Sequence, residues 1–272
     1  MGTSQSSSGP GSSVSLVPPW ADDAQSQVES LDGDSSAAEE HPAQLPPAPL
    51  APPRRFRDAR RSLGRFAGTG ARRDLERALA HYVSQGYGGS STMARRLGAT
   101  SANAARLNQV LSSGIQPDGT ALRDETLATG SNADVVMDAI VEAVRPVDGT
   151  QDSEASRKAM RDALSDLLDR YPTADLLTLN DMQRQFVIER YAALDVYGRF
   201  CLDLQKSLMH KAPDAATALN RLKQIRAFIT EHVAASFRSI REKGLPATTH
   251  SLSRLTKEAL RETLGVFEEY LR

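Results

Sequence analysis

Apolar residues recur at the three- and four-residue spacing of amphipathic helices from residue 54 to the end of the chain. This spacing predicts helices over residues 54–67, 71–84, 92–112, 120–128, 132–145, 152–170, 178–211, 213–243 and 249–272. The helix over 178–211 is apolar over much of its surface, so we expect it at the centre of the fold. No stretch shows the alternation of a half-buried strand. The pattern therefore predicts an all-α protein, an irregular multi-helix bundle.

Residues 1–53 lack this pattern. Between Met1 and Ser15, Val14 has the only apolar side chain apart from Met1 and Pro10. Later in this segment the residues are first acidic and then rich in Pro and Ala. Such a segment buries too little surface to offset roughly 1–2 kcal/mol of backbone entropy per residue. We therefore expect a long disordered tail over 1–53, an Arg-rich helical region over 54–112 and a helical bundle over 113–272.

An apolar cluster within this tail contains the only tryptophan of the chain. Its members are Leu16, Val17, Pro18, Pro19 and Trp20. Buried tryptophans often dominate the energy of an interface. An aromatic anchor on a flexible leader therefore indicates a segment that docks on a partner protein.

The chain opens with Met-Gly, a start from which the initiator methionine is normally removed, and removal would leave an unhindered α-amine on Gly2. An α-amine has an unperturbed pKa of about 8, so a useful fraction is nucleophilic at neutral pH. With Ser6, the start also fits the Met-Gly-x-x-x-Ser pattern of myristoylation. The residues alone leave two interpretations open: a modified amino terminus, or a glycine that merely follows the start codon.

The net charge of −1 conceals an uneven distribution along the chain. Residues 1–53 contain seven acids and no Lys or Arg, whereas residues 54–111 contain twelve arginines and three acids. Arginine binds phosphate and carboxylate groups in bidentate geometry. A candidate face for nucleic acid or another anionic partner is formed by Arg54, Arg55, Arg57, Arg60, Arg61, Arg65, Arg72 and Arg73.

Two other interpretations of these arginines remain open, a solvated surface and a docking face for the acidic part of the chain or an acidic partner. The interleaved Phe56 and Phe66 belong to an apolar stripe. They therefore leave no exposed platform for base stacking.

No residues combine into a catalytic or metal site. The five histidines have no second ligand at helical spacing, and Cys201 lies in an apolar helix without an adjacent histidine, which indicates an inert thiol. The glycine-rich turn over 86–91 lacks the Gly-Lys-Ser/Thr ending of a phosphate-binding loop, so a helix connector is favoured over a nucleotide site. We therefore expect no metal, no cofactor and no enzymatic activity.

Nothing in the sequence predicts a membrane span or a secretory signal. No run of 18 apolar residues occurs, and the amino terminus lacks a basic start followed by an apolar centre. A single cysteine suits a reducing compartment. We therefore expect a cytoplasmic protein.

A resemblance to a known family rests on four stretches of the chain. They are MGTSQSSSGPGSS, LVPPWAD, RRFRDARRSLGRFAGTGARRDLERALAHYVSQGYGGSSTMARRLG and DVVMDAIVEAVRP. The chain resembles the QatB family of the bacterial Qat anti-phage defence system. This resemblance implies a defence component whose partners are a QueC-like enzyme (QatC-type), an ATPase (QatA-type) and a TatD-like nuclease (QatD-type).

The resemblance also implies a role for the amino terminus. QueC-like enzymes activate a 7-deazaguanine carboxylate with ATP, and in defence systems they conjugate it to a protein N-terminus. Gly2 would then be the acceptor, with Thr3 and Ser4 entering the enzyme's channel and residues 16–20 docking outside it. The alternative is an adaptor whose Arg-rich helices direct the ATPase or the nuclease to phage DNA.

Overall fold

The computed structural model describes residues 51–114, 121, 132–243 and 249–271. These residues form nine α-helices and no strand, so the predicted all-α fold is confirmed. In chain order the helices are α1 Arg57–Thr69, α2 Arg72–His81, α3 Ser90–Arg96, α4 Gly98–Ser113, α5 Ala133–Val144, α6 Gln151–Arg170, α7 Asp181–Lys211, α8 Ala215–Glu242 and α9 Thr249–Glu269. Of the predicted tail over 1–53, residues 1–50 lie outside the described residues, whereas Ala51 is described and buried. The predicted helix over 120–128, apart from residue 121, also lies outside the described residues.

The first three predicted helices differ from the observed ones at identifiable residues. α1 begins later than predicted because Arg54 has a left-handed backbone (φ 55°), and its carbonyl closes a turn with the N–H of Arg57 at 2.8 Å. The predicted helix over 71–84 changes after His81 into a π-helical turn, Tyr82–Gly86. The predicted helix over 92–112 is split into α3 and α4 at Leu97, whose ψ of 17° departs from helical values.

Polar caps fix the start of two later helices. The side chain of Asn132 accepts a hydrogen bond from the N–H of Asp134 at 3.1 Å, as the sequence predicts for the start of α5. Thr150 caps α6 in the same way by accepting from the N–H of Ser153 at 3.2 Å.

The described residues divide into two compact units. Unit 1 comprises residues 51–98, 207–221 and 261–271. Unit 2 comprises residues 99–114, 121, 132–206, 222–243 and 249–260. The predicted boundaries at residues 53 and 112 stay predictions.

Each unit has its own buried apolar side chains. In unit 1, α1 packs against α2, and Leu63, Phe66, Leu75 and Leu79 are all buried. In unit 2, α7 contributes six buried side chains, as expected for the helix predicted to lie at the centre of the fold. They are Val187, Ile188, Tyr191, Leu194, Phe200 and Leu204.

Candidate functional site

An aromatic cluster at the start of unit 1 holds the first of the predicted arginines. The rings of Phe56, Tyr82 and Tyr87 lie with centroids 5.3–5.8 Å apart. The guanidinium of Arg55 lies 4.4 Å from the centroid of Phe56 and 5.2 Å from that of Tyr87, a cation–π arrangement. Only 7% of Arg55 is exposed. Its inclusion in the exposed face is therefore corrected: aromatic packing draws this side chain inward.

The turn that follows this cluster serves packing rather than ligand binding. A Cβ on Gly86 would lie 2.6 Å from the Phe56 ring, and Gly88 and Gly89 have φ of 73° and 105°, which L side chains rarely adopt. The N–H of Ser90, which a phosphate would use, donates instead to the carboxylate of Glu268 at 3.1 Å. These contacts support the interpretation of the turn as a connector.

Two exposed arginines of α1 share one carboxylate. Arg57 lies 3.4 Å and Arg61 lies 3.9 Å from Asp58, and their side chains are 63% and 66% exposed. Exposed pairs of this kind contribute about 0–1 kcal/mol. Both guanidinium groups therefore remain accessible to a larger anionic partner.

The other predicted arginines differ in their surroundings. Arg65 is bound to Asp74 at 3.1 Å and Arg72 to Glu76 at 2.9 Å. Arg60 is half-buried, with its guanidinium 5.8 Å from the Phe56 centroid. Arg54 and Arg73 are exposed.

Lys211, at the end of α7, also belongs to this surface, although the charge pattern along the chain does not place it there. Its stem lies across Gly64, where a Cβ would come within 2.5 Å of Lys211 Cδ, and its Nζ donates to the Arg60 carbonyl at 2.8 Å. Burial lowers the pKa of Lys211, and the charges of Arg60 and Arg61 lower it further. The only signal for this contact in the sequence is a glycine inside a helical pattern.

Arg221 adds a second cation from a distant part of the chain. Gly70 ends α1 with φ 70°, and a Cβ there would collide with the Arg221 guanidinium. That guanidinium lies 5.5 Å from the Phe66 centroid. A cation at a helix C-terminus is favoured by the helix dipole. We refer to Arg54, Arg57, Arg60, Arg61, Arg65, Arg72, Arg73, Lys211 and Arg221 as the basic surface.

The charge of the two units differs. The described residues of unit 1 contain fourteen Lys and Arg against seven Asp and Glu, a net charge of +7, whereas those of unit 2 contain seventeen of each. Many arginines of unit 2 are bound to acids: Arg157 to Glu142, Arg161 to Asp134, Arg190 to Asp166, Arg199 to Asp152 and Arg241 to Glu189. The excess positive charge of the described residues is therefore confined to unit 1.

Unit 2 contains a buried polar cluster of one carboxyl and three hydroxyl groups. The hydroxyl of Thr100 donates to Asp195 at 2.5 Å, and the hydroxyls of Ser156 and Tyr191 are 2.8 Å apart. Burial raises the pKa of the Asp195 carboxyl, against the effect of hydrogen bonds from Thr100 and Ser156. The cluster therefore places a carboxyl group among hydroxyl groups in the core of unit 2.

The remaining chemistry of the described residues is sparse. Burial raises the pKa of the Cys201 thiol to about 11, so little reactive thiolate forms at neutral pH. No group of three or more His, Cys, Asp or Glu side chains within the described ranges is arranged to hold a metal ion. Among those residues, too, every helix is too short or too polar to cross a bilayer.

The predicted amino-terminal site lies outside the described residues. This applies to Gly2, Thr3 and Ser4 and to the predicted docking residues Leu16, Val17, Pro18, Pro19 and Trp20. Their roles stay predictions.

Comparison with known proteins gives one match. A family model described as Qat anti-phage system associated protein QatB matches residues 88–267. No curated protein and no solved structure matches the chain. The matched range includes α3 to α8 in full, and α1 and α2 precede it.

Proposed function

Since the chain belongs to the QatB family of Qat anti-phage system associated proteins, we propose that it is a non-enzymatic cytoplasmic component of that defence system. In this proposal its amino terminus binds a QueC-like partner and accepts a 7-deazaguanine-type group on Gly2. The family match over residues 88–267 is the observation that carries the assignment to defence. The partner and the acceptor role are supported by the resemblance of the first twenty residues.

The chemistry of the leader fits an acceptor. Removal of Met1 exposes an α-amine with an unperturbed pKa of about 8. The α-nitrogen of Gly2 forms an amide bond with the carboxyl carbon that the partner has activated with ATP. The amine loses a proton and the ATP-derived activating group departs. Thr3 and Ser4 are small enough to follow Gly2 into a narrow channel.

Intact-mass spectrometry tests the acceptor role directly. The protein is produced with its QueC-like partner, with a partner inactivated at its ATP site, and alone. We expect loss of Met1 in all three samples and an added deazaguanine-type mass only with the active partner, located on Gly2 by fragmentation. An unmodified Gly2 in the presence of the active partner and its substrate would contradict the proposal.

Matched variants separate the acceptor from the docking residues. Gly2→Leu should abolish the modification, because a bulky residue both retains Met1 and obstructs the channel, whereas Ser12→Ala should leave it unchanged. Trp20→Ala should weaken partner binding by about 2–4 kcal/mol, as buried tryptophans do at interfaces. Circular dichroism of each variant should match that of the native chain.

A second candidate function is an adaptor that binds nucleic acid and directs the ATPase or nuclease components to phage DNA. The exposure of Arg57 and Arg61, which share a single carboxylate, favours it. DNA affinity should fall with salt, and the slope should decrease when Arg57, Arg61 and Arg73 are replaced by Gln. Equal affinity in the native and replaced chains would remove this candidate.

A further inference from the structure

We propose that the basic surface of unit 1 is a docking site for the acidic segment of the same chain, Asp22 to Glu40. This inference does not depend on the proposed function. It concerns a contact within one chain, and its test needs neither the partner enzyme nor its substrate.

The charges of the two parts match in sign and in number. Residues 22–40 contain the seven acids Asp22, Asp23, Glu29, Asp32, Asp34, Glu39 and Glu40 and no Lys or Arg. The described residues of unit 1 have a net charge of +7, and those of unit 2 have a net charge of zero. An acidic segment is therefore attracted to unit 1, whereas the described residues of unit 2 have no net positive charge to attract it.

Three cations of the basic surface, Arg57, Arg61 and Lys211, are not matched one for one by carboxylates of unit 1. Arg57 and Arg61 share Asp58 and remain mostly exposed. Lys211 Nζ donates to a backbone carbonyl, and its pKa is lowered first by burial and then by the charges of Arg60 and Arg61. Arginine prefers carboxylate partners in fork-like geometry, which further acids can supply.

The connection between the two parts is long enough. Ala51 is 1% exposed and belongs to unit 1, so the chain enters the described structure at the start of this unit. Ten residues lie between Glu40 and Ala51, and the eleven steps along an extended chain span at most about 40 Å. α1 has 13 residues and is about 20 Å long. The acidic segment can therefore reach every position along α1.

Tethering strengthens such a contact. A short linker gives the attached segment an effective concentration in the millimolar range at its own docking site. Docking would hold the acids against α1 and leave only residues 1–21 as a free leader. An anionic partner that binds the basic surface would displace the segment and lengthen the leader.

Energy transfer from Trp20, the only tryptophan, measures the contact. A Gly68→Cys substitution in a Cys201→Ser background carries the acceptor dye, since no atom lies within 4 Å of a Cβ at Gly68. We expect high transfer at 0.1 M salt and low transfer at 1 M, because the screening length falls from about 10 Å to about 3 Å. Replacing the seven acids by Asn or Gln should give low transfer at both concentrations.

Matched variants locate the docking site. Replacing Arg57, Arg61 and Arg73 by Gln should reduce the transfer, whereas replacing the exposed Lys206, Lys223 and Arg254 of unit 2 by Gln should not. Replacing the three arginines by Glu lowers the net charge of the described residues of unit 1 from +7 to +1 and should abolish the contact. Equal transfer in the native and acid-neutralised chains at 0.1 M salt, or undiminished transfer in the Glu variant, would overturn the proposal.

A short DNA oligonucleotide distinguishes a docked surface from a free one. If the segment occupies the surface in about nine molecules of ten, neutralising the seven acids should tighten DNA binding by about tenfold. Identical affinity with and without the acids would show that the surface is open in the native chain, and this would also overturn the proposal.

Discussion

Gly86 and Gly68 both lie in unit 1, and their surroundings differ. The Phe56 ring fills the space beside Gly86, whereas no atom lies within 4 Å of a Cβ at Gly68. We expect Gly86→Ala to lower the free energy of unfolding by about 1–3 kcal/mol through overpacking. Gly68→Ala, within α1, should raise it by about 0.5–1 kcal/mol. Urea unfolding of the two variants checks both values, and a neutral Gly86→Ala would show that the Phe56 ring moves freely.

Asp195 makes stability depend on pH in a defined direction. Burial raises the pKa of its carboxyl in the folded chain above the usual value of 3.8. The folded state therefore binds the proton more tightly, and stability falls as pH rises from about 4 through the folded pKa. Asn cannot ionise and keeps an acceptor for the Thr100 hydroxyl. We expect the stability of Asp195→Asn relative to the native chain to increase from pH 4 to pH 7 in denaturant titrations.

The neighbours Arg55 and Phe56 show which residues the sequence predicts and which it does not. The spacing of apolar residues predicts the burial of Phe56, because that signal is local. The burial of Arg55 depends on Tyr87, more than thirty residues further along the chain. Lys211 and Arg221 likewise reach the basic surface only through the tertiary fold.

Among the helices, α5 has a side-chain cap at its N-terminus and α2 has none. Asn132 caps α5 with its side chain, whereas Ala71 precedes α2 with an extended backbone and no side-chain cap. We expect Asn132→Ala to cost about 1 kcal/mol and Ala71→Ser to stabilise the chain by a similar amount. Thermal and urea unfolding measure both changes. A loss in Ala71→Ser would mean that its hydroxyl does not reach the N–H groups in the first turn of α2.

Helix ends that depend on a side-chain cap or a proline could be predicted. α5 starts at its Asn132 cap and ends before Pro146, as the sequence indicates. The late start of α1 could not be predicted, because an arginine with positive φ is uncommon and carries no signal in the residue type. The π-helical turn Tyr82–Gly86 packs against Phe56, a contact between distant residues that no local pattern encodes.

For the whole molecule, the fold class follows from helical spacing and from a composition poor in β-branched residues. The division into two units cannot be predicted in this way, because unit 1 combines three segments that are far apart in the sequence: residues 51–98, 207–221 and 261–271. The uneven charge is visible in the sequence. Its concentration on one unit, including Lys211 and Arg221, becomes visible only when these distant segments are brought together.

Removal of residues 1–50 should leave the helical framework intact. All nine described helices start after residue 56, and the buried residues named above belong to the remaining chain. We expect an unchanged circular dichroism signal per helical residue and a Tm shift of no more than about 4 °C, the effect of roughly 1 kcal/mol in a domain of this size. A collapse of the helical signal would show that the removed residues complete a core.

The lysine that lies across Gly64 has a chemical consequence of its own. An amine whose pKa is lowered keeps its electron pair free in a larger fraction of molecules at neutral pH. Lys211 should therefore react more readily with an acylating ester at pH 7 than a lysine of ordinary pKa, as peptide mapping would show. A reagent used to label the amino-terminal amine will therefore also react with the Lys211 amine of the same chain.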